Sequence, residues 1–280
     1  MQLIEPVLVA GWRAALALGF ERRAGRTLLA ERRHEGPLVV QKPLYPEGDA
    51  VCHAIVVHPP GGIAGGDELE LALSAGEGAH ALLTTPGAGK WYRSAGPWAR
   101  QRLAFELAPG ASLEWLPQET IVFDGARAQL STTVRLAAGA QYIGWEILCL
   151  GRTGSGERFE RGACALRTLI ERDGRPLWLE RGGIDGGSEL LSSQAGFAGQ
   201  PVCGTLIAAA PGLDAALVGT CRKLDPAPGQ GSVSLLPDVL VARYLGDSSE
   251  AAKRYFASLW ALLRPALFGR EAVAPRIWQT

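Results

Sequence analysis

A ten-residue segment in the first third of the chain, HPPGGIAGGD from His58 to Asp67, places a histidine, a carboxylate and four glycines close together. Imidazole and carboxylate groups are metal ligands, and glycine-rich backbone can surround an anion. Prolines followed by glycines also form sharp turns, because glycine reaches backbone conformations that other residues avoid. The segment is therefore a candidate metal site, anion site or turn. The residues that determine the backbone conformation of the segment are Pro59, Pro60, Gly61, Gly62, Gly65 and Gly66.

Local spacing does not complete a metal site around this segment. The other histidines are His34, His53 and His80, and none of the four has a partner at the His-x-x-x-His spacing of a helical zinc site. A metal site built from residues of distant segments is still compatible with the sequence.

Two enzyme motifs fail at the positions that carry their chemistry. The segment TTPGAGKWYRS contains Gly89-Lys90, but a phosphate-binding loop needs glycine five residues before Gly89 and Ser or Thr after the lysine. Thr84 and Trp91 stand at those positions. The sequence TGSG around Ser155 lacks the outer glycine spacing of a serine-hydrolase nucleophile turn.

Carboxylates leave one enzymatic alternative open. Glu68 and Glu70 share one face of a predicted strand, and paired carboxylates perform acid and base catalysis in glycoside hydrolases. The alternative function is therefore a β-sandwich carbohydrate-binding protein or glycoside hydrolase. A solvated strand face explains the same two residues.

Strand-like alternation dominates the elements that must position these groups. In DELELAL, Leu69, Leu71 and Leu73 fall on one side of the chain, which is typical of a half-buried strand. The segments RLAFEL, QLSTTVRL and YIGWEILC repeat this pattern, and turn-forming clusters separate them at intervals of roughly ten residues. This rhythm favours an antiparallel all-β architecture.

A hairpin and two helices complete the predicted elements. Asp173-Gly174 between two apolar runs predicts a two-residue hairpin turn. The segment DSSEAAKRYFASLWALLRPALFG predicts a helix with Asp247 or Ser248 as its N-cap and Pro265 near its end. GLDAALVGTCRKL predicts a shorter helix before it.

These patterns predict a mainly β fold with stacked antiparallel or mixed β-sheets in one large domain and about two α-helices toward the C-terminus. We expect residues 1–280 to form this single domain, with a mainly β portion at 1–210 and an αβ portion at 211–280. No internal repeat stands out in the sequence.

Composition narrows the class of protein. The chain has 28 basic and 28 acidic residues, interspersed rather than clustered, which argues against a nucleic-acid surface. No run reaches the ~18 apolar residues of a membrane span, and the N-terminus lacks the order of a signal peptide. The five cysteines form no C-x-x-C pair, which favours buried thiols in a reducing compartment. We expect a soluble, cytoplasmic protein without nucleic-acid or membrane partners.

Four segments together resemble the urease accessory protein D family, called H in some bacteria. They are HPPGGIAGGD, LLTTPGAGKWYRS, LEWLPQETIVFDGA and the C-terminal pair LWALLRPALFG and PRIWQT, in the order of the family. The resemblance implies a non-enzymatic maturation factor that helps to insert nickel into apourease and offers the metal an internal route. It implies as partners the urease apoprotein subunits, the helical accessory protein F, the accessory GTPase G and, through the complex, the nickel metallochaperone E. No tightly bound cofactor is expected, only Ni²⁺ in transit.

A route for a divalent cation needs weak, successive oxygen or imidazole ligands, because a tight site would trap the ion. The candidate residues for such ligands are His58, Asp67, Glu119 and Asp124.

Two groups of residues are candidates for partner binding, since aromatic residues and arginine are frequent in binding hot spots. The first group is Lys90, Trp91, Tyr92 and Arg93, and its alternative is a solvated loop with the aromatic rings turned inward. The second group is Tyr255, Trp260 and Trp278 at the C-terminal helix and tail, and its alternative is packing against the chain's own sheet.

Overall fold

The computed structural model describes residues 11–279 and shows a mainly β protein in three layers. The strands, in chain order, are β1 (Arg13–Arg23), β2 (Arg26–Glu35), β3 (Val39–Val40), β4 (Val51–Val57), β5 (Glu68–Ala75), β6 (His80–Thr84), β7 (Gly89–Trp91), β8 (Ala99–Leu107), β9 (Ser112–Trp115), β10 (Thr120–Val122), β11 (Arg127–Leu136), β12 (Gln141–Leu150), β13 (Ala163–Arg172), β14 (Arg175–Asp185), β15 (Val202–Ala209), β16 (Gln230–Leu236) and β17 (Val239–Gly246). The helices are α1 (Glu189–Ser192), α2 (Ala215–Cys221) and α3 (Ser249–Phe268).

The strands form two stacked sheets, and α3 covers the second. The outer sheet has the order β14-β13-β11-β8-β5-β1-β2. The central sheet has the order β16-β17-β15-β12-β9-β6-β4-β3, with the short strand β10 beside β12 and β7 beside β10. The prediction of a mainly β fold with stacked sheets and helices toward the C-terminus is confirmed.

The chain alternates between the two sheets from β4 to β13. Each pass through both sheets forms one coil, and each coil adds a parallel strand to each sheet. The expectation that the ten-residue rhythm indicates antiparallel neighbours is therefore wrong for these strands. Turn spacing and alternation are the same whether a turn returns to its own sheet or crosses to the other sheet, so the pattern cannot distinguish them.

The coils also constitute a structural repeat that the sequence does not display. Glu68 pairs with Arg100, and His80 pairs with Ser112, each 32 residues further along the chain. Equivalent positions share burial and orientation but not residue type, which explains why no repeat stands out in the sequence.

The two sheets differ in which faces they bury. In β5, Leu69, Leu71 and Leu73 are buried against the central sheet, as the alternation predicts. The opposite face is exposed, and Arg100 and Arg102 lie 3.4 and 3.0 Å from the carboxylates of Glu68 and Glu70. The central sheet lies between the outer sheet and α3, so strands such as β4 and β6 are buried on both faces and read as apolar runs.

The local elements follow their predicted signals. Asp173 and Gly174 have φ values of 49° and 74°, and they join β13 to β14 as an antiparallel hairpin. Ser248 is the N-cap of α3, where its Oγ accepts a hydrogen bond from the Ala251 amide at 3.2 Å. The shorter helix forms as α2, capped by Asp214. No helix within residues 11–279 is long and apolar enough to cross a membrane.

A buried ionic cluster attaches α3 to the central sheet. Arg264 of α3 donates from Nε to both carboxylate oxygens of Glu114 in β9, at 3.0 and 3.2 Å, and both residues are fully buried. Trp260 Nε1 donates to Glu114 at 2.5 Å, and His80 Nε2 lies 2.7 Å from the same carboxylate. Burial alone would raise the pKa of Glu114, but His80 and Arg264 outweigh burial and hold this pKa below its usual value.

Replacing Glu114 by Ala should lower the free energy of unfolding by about 3 kcal/mol, because it removes one of the two carboxylates, Glu114 and Glu47, that pair with the buried Arg264 guanidinium. Urea denaturation of the purified chain measures this difference. The matched control is Glu106→Ala, which removes a carboxylate 3.3 Å from Arg135 on the exposed face and should cost about 1 kcal/mol or less. Equal effects of the two substitutions would contradict a central role for the cluster.

Candidate functional site: the cavity between the sheets

A cavity of about 580 Å³ lies between the outer and central sheets. Much of its wall is apolar and includes Leu103, Leu130, Leu148 and Leu166. Polar side chains within such a wall are exceptions that need an explanation, because an unpaired buried polar group is costly.

The polar residues of the cavity form two rows that run across the strands. In the outer sheet, the register places Thr132 beside Thr168 and Thr168 beside Glu180. In the central sheet, Glu146 lies beside Thr205, and Thr205 lies beside Arg243. Cross-strand neighbours at one register position point to the same face of a sheet, and all six of these residues line the cavity. We call these six residues the polar rows.

Glu146 has the most unusual environment in the polar rows. Its carboxylate has no hydrogen-bond or ion-pair partner among residues 11–279, and the cavity is the space that it faces. Burial, reinforced by the negative charge of Glu180, raises its pKa to about 7. The group is therefore present in both protonated and ionised forms near neutral pH, and its oxygens are free to accept a cation.

An ion pair occupies the other end of the rows. The Arg243 guanidinium lies 2.7 Å from the carboxylate of Glu180 and donates to Thr205 Oγ1 at 2.8 Å. Its centre is 5.9 Å from the ring centroid of Trp178. The side chains of Arg243 and Glu180 are 43% and 30% exposed, which places this pair at an open end of the cavity.

The cysteines are free thiols, as predicted, and one of them lines the cavity. Cys203 lies in β15 beside the polar rows. Burial, together with the charge of Glu146, raises the pKa of Cys203 to about 12. Cys203 is therefore a neutral thiol at physiological pH, and oxygen atoms are the principal ligand atoms of the cavity.

The three glycine-containing motif segments are equivalent parts of successive coils. Each one carries the chain from the central sheet to the outer sheet at the same edge. The Ile63 amide donates to the Lys90 carbonyl at 2.7 Å, and the Gly89 amide donates to the Glu119 carbonyl at 2.9 Å. The motif segments are therefore stacked connections, and the turn interpretation of HPPGGIAGGD is the one that the geometry supports.

Close packing explains glycine at two positions of this turn. A Cβ atom at Gly62 would lie 2.2 Å from the Tyr92 ring, and one at Gly65 would lie 2.2 Å from Ser94 Oγ. Asp67 closes the turn, because its two carboxylate oxygens accept hydrogen bonds from the amides of Trp12 and Ala64, both at 2.8 Å.

Of the four residues predicted as nickel ligands, His58 lines the cavity and the other three do not. Burial lowers the pKa of His58, with the charge of Asp67 acting in the opposite direction. Asp124 accepts hydrogen bonds from the amides of Glu160 and Arg161 at 3.0 and 2.8 Å and from the Arg161 guanidinium. Within residues 11–279, no cluster of three or more His, Cys, Asp or Glu side chains has the geometry of a metal site. A nickel role for Asp67, Glu119 and Asp124 stays a prediction.

The predicted partner-binding residues divide into exposed and buried members. The stacked motif segments lie along one edge of the two sheets, which we call the motif edge. Lys90, Tyr92 and Arg93 are exposed there. Trp91 is buried and pairs through β7 with β10, so it packs in the core and the expectation of an exposed contact is wrong for this residue.

The C-terminal aromatic residues are mostly internal, and their role in partner binding stays a prediction. Tyr255 and Trp260 are buried between α3 and the central sheet, because the apolar face of α3 covers that sheet. Trp278 is half-buried and contacts Trp145 and Trp260 at centroid distances of 5.6 and 5.8 Å. Packing against the chain's own sheet, the alternative explanation, fits these placements.

Sequence reasoning missed Glu146, Glu180 and Arg243. A signal for Glu146 exists, because it interrupts the apolar strand YIGWEILC on the face opposite Ile143 and Trp145. Glu180 and Arg243 have no comparable signal, since charged residues are ordinary in strands that lie near a sheet edge. The same-face carboxylates Glu68 and Glu70 lie in ion pairs on the exposed face of the outer sheet rather than in the cavity.

The fold and the cavity define a class: a coiled two-sheet β protein with a helical layer and a mainly apolar cavity between the sheets, in which hydroxyl and carboxylate groups form two rows. Comparison with known proteins identifies its family. A family model described as UreD urease accessory protein matches residues 13–279. The chain is 59% identical to urease accessory protein UreD of Dechloromonas aromatica, covering 100% of this chain and 99% of that protein. It is 53% identical to the protein of the same name from Pseudomonas aeruginosa, covering 96% and 95% of the two chains. The chain belongs to the UreD family of urease accessory proteins.

The unpaired carboxylate of Glu146 should make stability depend on pH. Its pKa in the folded chain, about 7, is higher than the usual 4.5, so the folded state binds the additional proton between these values. The free energy of unfolding should therefore decrease as pH rises from about 4.5 to 7. Glu146→Gln removes this pH dependence. From pH 5 to pH 8, the free energy of unfolding of the variant should therefore rise by about 2 kcal/mol relative to that of the unsubstituted protein.

Urea denaturation at several pH values measures this gain. Glu106→Gln, on the exposed face, is the control and should follow the unsubstituted protein. A Glu146→Gln curve that runs parallel to the unsubstituted curve would show that the Glu146 carboxylate is not in the environment described.

Proposed function

We propose that this chain is a non-catalytic scaffold of urease maturation in the cytoplasm, and that Ni²⁺ passes through the cavity between its sheets on the way to the urease active site. Membership of the UreD family supports the role in urease maturation. The observation that carries the nickel route is the free carboxylate of Glu146 within the polar rows.

The chemistry of the polar rows suits a cation in transit. Thr132, Thr168 and Thr205 supply neutral hydroxyl oxygens, and Glu146 and Glu180 supply carboxylates. Each position provides one or two oxygen ligands, which hold Ni²⁺ weakly compared with a complete nitrogen or thiolate site. Weak successive ligands favour movement from one position to the next.

The extent of the cavity suits transfer between partners. Its lining reaches His58 and Lys90 at the motif edge, and it reaches Glu180 and Arg243 at the open end of the polar rows. The proposed route runs between these two groups of lining residues. The proposed partners are the urease apoprotein, the helical accessory protein F and the GTPase G, with the metallochaperone E acting through the complex.

Exposed residues of the motif edge are the proposed partner contacts. Tyr92 is 39% exposed, and Lys90 and Arg93 lie beside it. Aromatic and arginine side chains in such a position provide both contact area and hydrogen-bond donors. A partner that docks here would cover the end of the cavity at which His58 lies.

The double substitution Glu146→Gln/Glu180→Gln should reduce urease activation severalfold at limiting nickel, because it removes both carboxylates from the polar rows. The measurement is urease activity and nickel content in cells that express the urease subunits and the accessory proteins together with the variant chain. Pull-down of the partners verifies that the complex still assembles.

The matched control is Glu106→Gln/Glu171→Gln, which removes the two carboxylates paired with Arg135 on the exposed face. It should leave activation unchanged. Full activation by the Glu146→Gln/Glu180→Gln variant in an assembled complex would refute the proposed route.

A further inference from the structure

Arg243 is a fixed positive charge inside a cavity proposed to conduct a cation. Its guanidinium is held by the Glu180 carboxylate at 2.7 Å, the Thr205 hydroxyl at 2.8 Å and the face of Trp178. Arginine cannot lose its charge under physiological conditions. Any cation in the cavity is therefore exposed to the positive charge of Arg243.

The guanidinium occupies the position that a divalent cation would take at this end of the cavity. Glu180 Oε1 and Thr205 Oγ1 both contact Arg243, so a metal ion cannot occupy the space between these two atoms while the arginine is in place. A metal ion approaching Glu180 would also meet direct repulsion from the guanidinium. In a cavity of lower effective dielectric constant than water, this repulsion is stronger than at an open surface.

The side chain has a way to leave. Arg243 is 43% exposed at the open end of the cavity, and a long flexible side chain can move its charged group outward while its apolar stem stays packed. Its departure would free the oxygens of Glu180 and Thr205 on the side of Glu146.

From this geometry we propose that Arg243 is an electrostatic gate, which fills the cation position between Glu180 and Thr205 and excludes Ni²⁺ until the side chain moves outward. The proposal rests on the nickel route described above and adds the residue that controls entry to it. It predicts that the resting chain binds Ni²⁺ weakly because the protein's own cation already occupies the carboxylate.

Removing the charge of Arg243 should open the site permanently. Arg243→Gln keeps a hydrogen-bonding group near Thr205, and Arg243→Met keeps an unbranched apolar stem near Trp178 if the Gln variant does not fold. Equilibrium dialysis against Ni²⁺ alone at pH 7.5 should give about tenfold or greater tightening of Ni²⁺ binding for either variant over the unsubstituted chain. Arg243→Lys, which keeps a positive charge, should bind as weakly as the unsubstituted chain.

The control Arg135→Gln removes an arginine that is likewise ion-paired, in its case with Glu106 and Glu171 on the exposed face. It should not change Ni²⁺ binding. Adding Glu180→Gln to Arg243→Gln should abolish the gain.

Unchanged binding in the Arg243 variants, or a gain that persists without Glu180, would overturn the gate. These results are independent of the activation assay. Tighter Ni²⁺ binding together with normal activation by the Glu146→Gln/Glu180→Gln variant would leave a gated cation site but remove the proposed route. Unchanged Ni²⁺ binding together with impaired activation by that variant would keep the route and remove the gate.

Discussion

The parallel, in-register stacking of coils is the constraint on which the rest of the structure depends. Each coil places one strand in each sheet, so a residue that faces the interior in one coil lies beside interior residues of the next coil. Polar side chains at one register position therefore become neighbours across several strands. In the polar rows, parallel coil stacking joins Thr132 to Thr168. Antiparallel pairing extends this row to Glu180 and joins Glu146 to Thr205 and Arg243. The same stacking aligns the motif segments at one edge.

The carboxylates of Glu114 and Glu146 respond differently to removal from water. Around Glu114, every carboxylate oxygen has a partner, and the cluster fixes α3 to the central sheet. Glu146 has no such partner, and its raised pKa is the physical consequence. A satisfied cluster stabilises one arrangement, whereas an unsatisfied carboxylate facing a cavity is available to a ligand. The contrast separates the structural role of the α3 cluster from the functional role proposed for the polar rows.

The sequence predicted local elements well, because local signals determine them. Asp173-Gly174 specified its hairpin, Ser248 specified the start of α3, and the leucines of β5 specified a buried face. It did not predict which strands are neighbours, because alternation repeats identically in parallel coils and antiparallel hairpins. The cavity could not be predicted either, because its lining depends on which strands are neighbours. His58 was found because its motif is distinctive, whereas Glu180 and Arg243 gain significance only when β14 and β17 face each other across the cavity. The family was predicted from the order of the motif segments along the chain, which local structural signals do not use.

X-ray diffraction at the nickel absorption edge tests directly whether Ni²⁺ binds inside the molecule. Crystals of the unsubstituted chain and of Arg243→Gln would be soaked in Ni²⁺ and compared by anomalous difference maps. We expect a nickel peak between the polar rows, near Glu146 and Glu180, in the Arg243→Gln crystals. Nickel peaks confined to the outer surface in both crystals would contradict it.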